Sequence, residues 1–222
     1  MIAYVRMQLL RWLRRTLGVG LLAAAVFLPT LMAALWMAFG GMRAAEDPLR
    51  SFVTVVVLCV LAGSGISIAN QLSSLVEEET RLKRSALLRV GDLDGFRAVG
   101  AFSLLGLVLA VLHGTMGYVG PAVVALFGGI PPGTWLAPAA ASVLLLSAFG
   151  PPAILGAFLL PRVLGLIVLN AAALIAGIVL ATGPHVTSGS ISPGLVGGIL
   201  VLHVAFVGGG GLLWRAKSAS VW

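Results

Sequence analysis

From about Val19 to Trp214 the chain is a succession of long apolar runs, interrupted by a single sizeable block of charge at 77–97, EEETRLKRSALLRVGDLDGFR. A helix needs about 20 apolar residues to cross the hydrocarbon of a bilayer. The runs at 19–39, 51–76, 98–119, 135–160, 163–182 and 195–214 each approach or exceed that length. Charged residues make up only 9% of the 222, far below the roughly 25% of soluble domains. These features predict an all-α polytopic membrane protein with six transmembrane helices in one domain, 1–222, and no room for a separate soluble domain.

Several local features refine the spans. Pro29 is a tolerated kink in the first, because neighbouring helices can satisfy a freed carbonyl in lipid. The second ends in a polar stripe of Ser67, Asn70 or Gln71, and Ser74 at helical spacing, expected to face protein as packing glue rather than a substrate path. In the third, Gly114, Gly117 and Gly120 recur every three residues. The stretch 121–134 is apolar but rich in Gly and Pro, which predicts a short re-entrant turn rather than a helix. Pro151 and Pro152 must interrupt the fourth span.

Before the first span, residues 1–16 place Ile2, Val5, Leu9, Trp12 and Leu13 on one helical stripe. Tyr4, Gln8, Arg11, Arg14 and Arg15 lie opposite, with Arg6 near the apolar stripe. This predicts a helix lying in the membrane surface, where Arg6, Arg11, Arg14 and Arg15 reach lipid phosphates and Trp12 sits at the headgroup level. The apolar run that follows is too long for a secretory signal, so it is read as an uncleaved span.

The bases fix an expected orientation. Twelve of the fourteen Lys and Arg fall before the first span, in the central block, at Arg162 and at Arg215 and Lys217. Only Arg43 and Arg50 fall in the opposite loops. By the positive-inside rule both termini and the block at 77–97 are cytoplasmic, in a cell inner membrane. The formal charge of +7 is thereby an orientation signal rather than a nucleic-acid surface.

Chemistry is conspicuous by what is missing. No phosphate loop, H-E-x-x-H, paired intramembrane aspartate or nucleophile elbow occurs, so no catalytic residue, metal or cofactor is expected. Cys59 is alone, which excludes an intramolecular disulfide. His113 and His203 are the ionisable groups at depth, and each is expected to bond a backbone carbonyl rather than relay protons or bind haem. Any active transport then needs an engine on another chain.

The layout resembles the permease subunits of ABC exporters of the type-two class: a basic elbow helix, two spans, a short cytoplasmic coupling helix after an acidic E-x-x-T/G signature, and four more spans. Glu77, Glu78, Glu79 and Thr80 match the signature and 82–90 matches the coupling helix. The family's usual proline after the paired leucines is replaced by Arg89-Val90-Gly91-Asp92. The resemblance implies that Glu77, Glu78, Glu79, Thr80, Leu82, Arg84, Leu87 and Leu88 couple the spans to a separate ATP-binding cassette subunit. It also implies pairing with a second permease copy or a related permease, and export of a lipid-like, peptide, drug or other amphipathic substrate. A haem-exporter-type membrane subunit of cytochrome c maturation and a non-transporting scaffold are the alternatives.

Overall fold

The computed structural model describes residues 2–13, 16–39, 47–81, 95–182 and 192–219. The described residues are helical, with α1 (Ile2–Leu13), α2 (Thr16–Ala38), α3 (Pro48–Arg81), α4 (Gly95–Phe127), α5 (Leu136–Leu146), α6 (Gly150–Leu159), α7 (Arg162–Thr182) and α8 (Pro193–Ala219). Six stretches are long and apolar enough to cross a membrane, α5 and α6 together making the fourth. This is a multi-pass membrane protein.

The spans sort into an inner and an outer set. In α3, α4 and the α5–α6 pair, 61%, 56% and 61% of the apolar window is buried, against 17%, 22% and 22% in α2, α7 and α8. Helix α3 is the centre, packing on α2, α4, α5, α6 and α7. It is buried nearly all round, through Phe52, Val56, Val60, Leu61, Ile68, Leu72 and Val76. The outer helices turn apolar side chains such as Phe27, Ile175 and Val204 outward, where hydrocarbon would solvate them.

Small residues decide how near the helices come. Along α7, Gly165, Leu169, Ala173, Gly177 and Ala181 recur every four residues and form the buried face. At Gly177 a Cβ would stand 2.9 Å from the Cα and the backbone nitrogen of Ala62, so the two backbones touch. Gly114 and Gly117 do the same work within the protomer. A Cβ at Gly114 would meet Val143 of α5 at 2.7 Å, and one at Gly117 would meet Val60 of α3 at 3.3 Å. Both are thus filled by this chain's own helices and not left open at the surface.

Element ends follow their capping residues. Asp47 accepts the Arg50 N–H on its Oδ1 at 3.0 Å, and Ser192 accepts the Leu195 N–H on its Oγ at 3.2 Å, each just before a proline that opens a helix. Pro151 and Pro152 sit in the first turn of α6, where no intrahelical donor is lost, after a 3-10 turn at Ser147–Phe149. The expected interruption of the fourth span is therefore a change of helix within one crossing.

Two sequence expectations are corrected. The stretch after Pro121 is not re-entrant: α4 continues to Phe127. It stops in a left-handed Gly129 (φ 72°), with Ile130 N–H on Ala125 O at 2.9 Å and Gly129 N–H on Leu126 O at 3.2 Å. That is a Schellman closure, and buried Ile130 packs beneath it as such closures require. In α1 the face turned to the protein is Val5 and Gln8: Gln8, which the sequence places on the polar side, is 1% exposed, while Ile2 of the apolar stripe is 77% exposed. α1 packs on α2 and α4, and Gln8 has a partner.

The seam at Gly177 is testable. Gly177→Ala must push backbone apart, whereas Gly209→Ala enters open space. Thermal unfolding in detergent is expected to show Gly177→Ala melting about 2–10 °C lower, from roughly 1–3 kcal/mol of overpacking, with Gly209→Ala unchanged.

Candidate functional site

Polar groups in the core concentrate between α3 and α4. Gln71 donates through Nε2 to Ser67 Oγ at 2.8 Å and to His113 Nε2 at 3.1 Å, and all three side chains are buried. Since Nε2 of the imidazole accepts, its proton resides on Nδ1. The stripe expected on the second span is thus turned to protein, with Ser67 and Gln71 in it, while Asn70 and Ser74 are half-buried beside it. His113 bonds side chains here, not the backbone carbonyl expected of it. Gln71 Oε1 and, one turn before Ser67, Ser64 Oγ lack a hydrogen-bond partner among the described residues.

His203 does meet a backbone carbonyl. Its Nε2 donates to Ser147 O at 3.2 Å, and its Nδ1 accepts from Ser103 Oγ at 2.7 Å, so both ring nitrogens are used. This ties α8 to α4 and to the 3-10 turn that divides the fourth span. Towards the opposite end, Tyr118 bonds Ser142, and Trp36 donates to Ser51 Oγ at 3.3 Å while crossing Phe52 edge-on.

At the end that carries the charged block, aromatic side chains bring the helix termini together. Trp214 packs edge-on to Phe158 with centroids 5.4 Å apart, and the Arg215 guanidinium lies 4.6 Å from the Phe96 ring centroid. The C-termini of α3, α6 and α8 and the N-terminus of α4 therefore share one end, as an even number of crossings between them requires. Ser73 reaches Ala153 O at 3.2 Å. One turn further on α3, Glu77 lines a cleft of about 70 Å³ with Ser73, Gly156, Leu160, Gly165 and Leu169.

The residues singled out in the sequence divide accordingly. Glu77, Glu78, Glu79 and Thr80 form the last turns of α3, continuous with the span. Glu77 and Glu78 are half-buried and each has a partner. Leu82, Arg84, Leu87 and Leu88, with Arg14 and Arg15, lie outside the described residues. Arg6, Arg11 and Trp12 are on α1, where Arg6 is exposed and Arg11 half-buried with a partner. Sequence reasoning missed the cleft beside Glu77, because its other walls come from the turn between α6 and α7, over eighty residues away. Its signal was the glycine pair Gly156 and Gly165 flanking Pro161. Among the described residues no group of three His, Cys, Asp or Glu is placed to hold a metal ion. Comparison of the chain with protein-family models, with curated proteins and with solved structures finds no match.

The Gln71–His113 pair makes a measurable claim. In a double-mutant cycle with Gln71→Ala and His113→Ala, the coupling energy in detergent unfolding is expected near the roughly 0.6 kcal/mol typical of interhelical hydrogen bonds in membranes, up to about 1.7. Strict additivity would show that the bond contributes nothing.

Proposed function

We propose that this chain is the membrane-spanning permease subunit of an ATP-driven exporter of the type-two ABC class, working with a separate ATP-binding subunit. The observation that supports it best is the continuity of α3. The acidic start of the charged block, Glu77 to Arg81, is the end of the same helix that packs on α2, α4, α5, α6 and α7. A partner bound to the block would hold the end of a rigid rod whose other contacts are the core of the membrane domain. A small displacement there would reach most of the spans at once. A merely solvated loop needs no such connection.

In this reading the charged end faces the cytoplasm of an inner-membrane protein, both termini lie on that side, and α1 rests in the lipid surface with Arg6 outward. The three acids and one hydroxyl from Glu77 to Thr80, with Leu82, Arg84, Leu87 and Leu88, form the seat of the ATPase, which supplies the nucleotide chemistry. A second permease copy, or a related one, packs against the outward faces of α2 and α8. Those faces, like that of α7, are left uncovered by the protomer, whereas Gly114 and Gly117 are occupied internally.

Two experiments test the reading. On a Cys59→Ala background, an impermeant thiol reagent applied to intact cells is expected to modify Arg43→Cys and to leave Lys83→Cys untouched; the opposite pattern would refute the orientation. For coupling, Glu78→Ala, Glu79→Ala and the pair Leu87→Ala with Leu88→Ala are compared with Arg43→Ala in pull-down of the ATP-binding subunit and in transport-linked ATP turnover. Truncating an interface anchor commonly costs more than about 1 kcal/mol, so binding should weaken at least about fivefold. Variants that match the Arg43→Ala control in both assays, or a complex containing no ATPase, would leave a scaffold role in its place.

A further inference from the structure

Along the outward side of α3, α6 and α7 the structure has two openings that share a wall. The one already described, at the charged end, has Ser73 and Glu77 in its lining. The other, about 150 Å³, is lined by Ala69, Phe149, Pro152, Leu169, Ala173 and Leu180, and exposes hardly any polar atom. Leu169 belongs to both, and Ala69 and Ser73 are successive turns of α3. From Gly165 to Leu180 the two openings together follow α7 for about 22 Å, most of the roughly 30 Å hydrocarbon core.

Its shape has local causes. Ala148 and Phe149, from the 3-10 break in the fourth span, form part of the upper wall, and alanines on α7 leave the space open. Below, Gly156 lies so close to Leu169 that a Cβ there would stand 2.9 Å from a Leu169 methyl. Leu169 is therefore held in place as the wall that the two openings share.

We propose that this cleft is a lateral binding site for a single-chain amphiphile with a cationic, hydrogen-bond-donating head, the tail lying against Ala69, Pro152 and Ala173 and the head at Ser73 and Glu77. Any lipid-facing groove accepts an alkyl chain, so the head decides what is selected. A carboxylate offers about four acceptor sites, so Glu77 bonds an ammonium in addition to the partner it already has within the protein. Ser73 spends its proton on Ala153 O and keeps its lone pairs for a donor. An anionic head would face the carboxylate at close range and be repelled. Taking the bound amphiphile as cargo, drawn from the inner leaflet, rests on the exporter reading; the binding itself does not.

The test uses the full chain alone, in phosphatidylcholine nanodiscs, with a photoreactive alkylammonium as probe and mass spectrometry to locate the adducts. Saturable labelling is expected on α3 and α7 around Ala69, Leu169 and Ala173. Unlabelled alkylammonium should compete, while the alkyl sulfate and the alcohol of equal chain length should not. Glu77→Gln, at the helix end, should weaken competition about tenfold or more without loss of monodispersity, and Ala173→Leu should lower labelling by filling the upper half. Equal competition by all three heads, no effect of Glu77→Gln, or labelling spread equally over the outward faces of α2 and α8 would overturn the proposal. Labelling abolished by phosphatidylethanolamine nanodiscs would assign the cleft to resident lipid and overturn it too. No ATPase is present, so failure here is separable from failure of the exporter reading.

Discussion

Helices in hydrocarbon gain nothing from hiding leucines from one another, so what fixes this bundle is how closely backbones can approach. The contact of Gly177 with Ala62 is the tightest instance, since backbone meets backbone across it. It seats α7 on α3, and the small residues a turn away in each direction, Ala173 and Ala181, extend the same approach. Two further holes lie on the other sides of the rod. The Phe149 ring lies 2.7 Å from where a Cβ of Gly65 would be, and Leu72 fits between Gly106 and Gly150. The central position of α3 is the sum of these fits.

Polar side chains do a different job. Inside lipid an unsatisfied donor has no water to fall back on, so each pairing fixes which turn of one helix faces which turn of the next. Gln71 to His113 registers α3 against α4, Tyr118 to Ser142 registers α4 against α5, and His203 registers α8 against the 3-10 turn. His113 and His203 are thereby accounted for as joints between helices. The break at Ser147–Phe149 exposes the carbonyl of Ser147 that His203 reaches, so a consequence of Pro151 and Pro152 is a bond that an unbroken helix would not have offered.

Much of this was legible in the sequence, and the reasons are physical. Apolar length is a direct reading of membrane thickness, so the six spans emerged at nearly their observed bounds. The two prolines gave the interruption of the fourth. The end of the third span was misjudged because Pro121 was treated as a stop, although in lipid its missing donor is tolerated and the true stop needed the φ of Gly129. The burial of Gln8 was not foreseen, because a polar side chain on a surface helix reads as outward, whereas one that has a partner can be turned inward. Gly114 and Gly117 announced close packing without saying against what. The cleft was least legible, since its walls come from three helices and each segment alone reads as ordinary span.

The cleft and the rod bear on one another. α3 carries both the small residues that α7 rests on and the acidic end beside the α6–α7 turn. A displacement of α3 along its axis cannot slide it past α7, because Ala62 and Gly177 are already in backbone contact and any shift in register puts a side chain where only hydrogen fits. α7 must move with it. α6 packs on α3 as well, with Ser73 bonded to Ala153 O, and meets α8 through Phe158 and Trp214. Within the exporter proposal, force delivered at Glu77 to Arg81 would thus reach both α6 and α7 through α3. The two openings lie among these three helices, with Leu169 of α7 against Gly156 of α6 between them. The same stroke that reaches the core would then widen or close the space at Leu169, which is where a bound chain and its head group would be held or released.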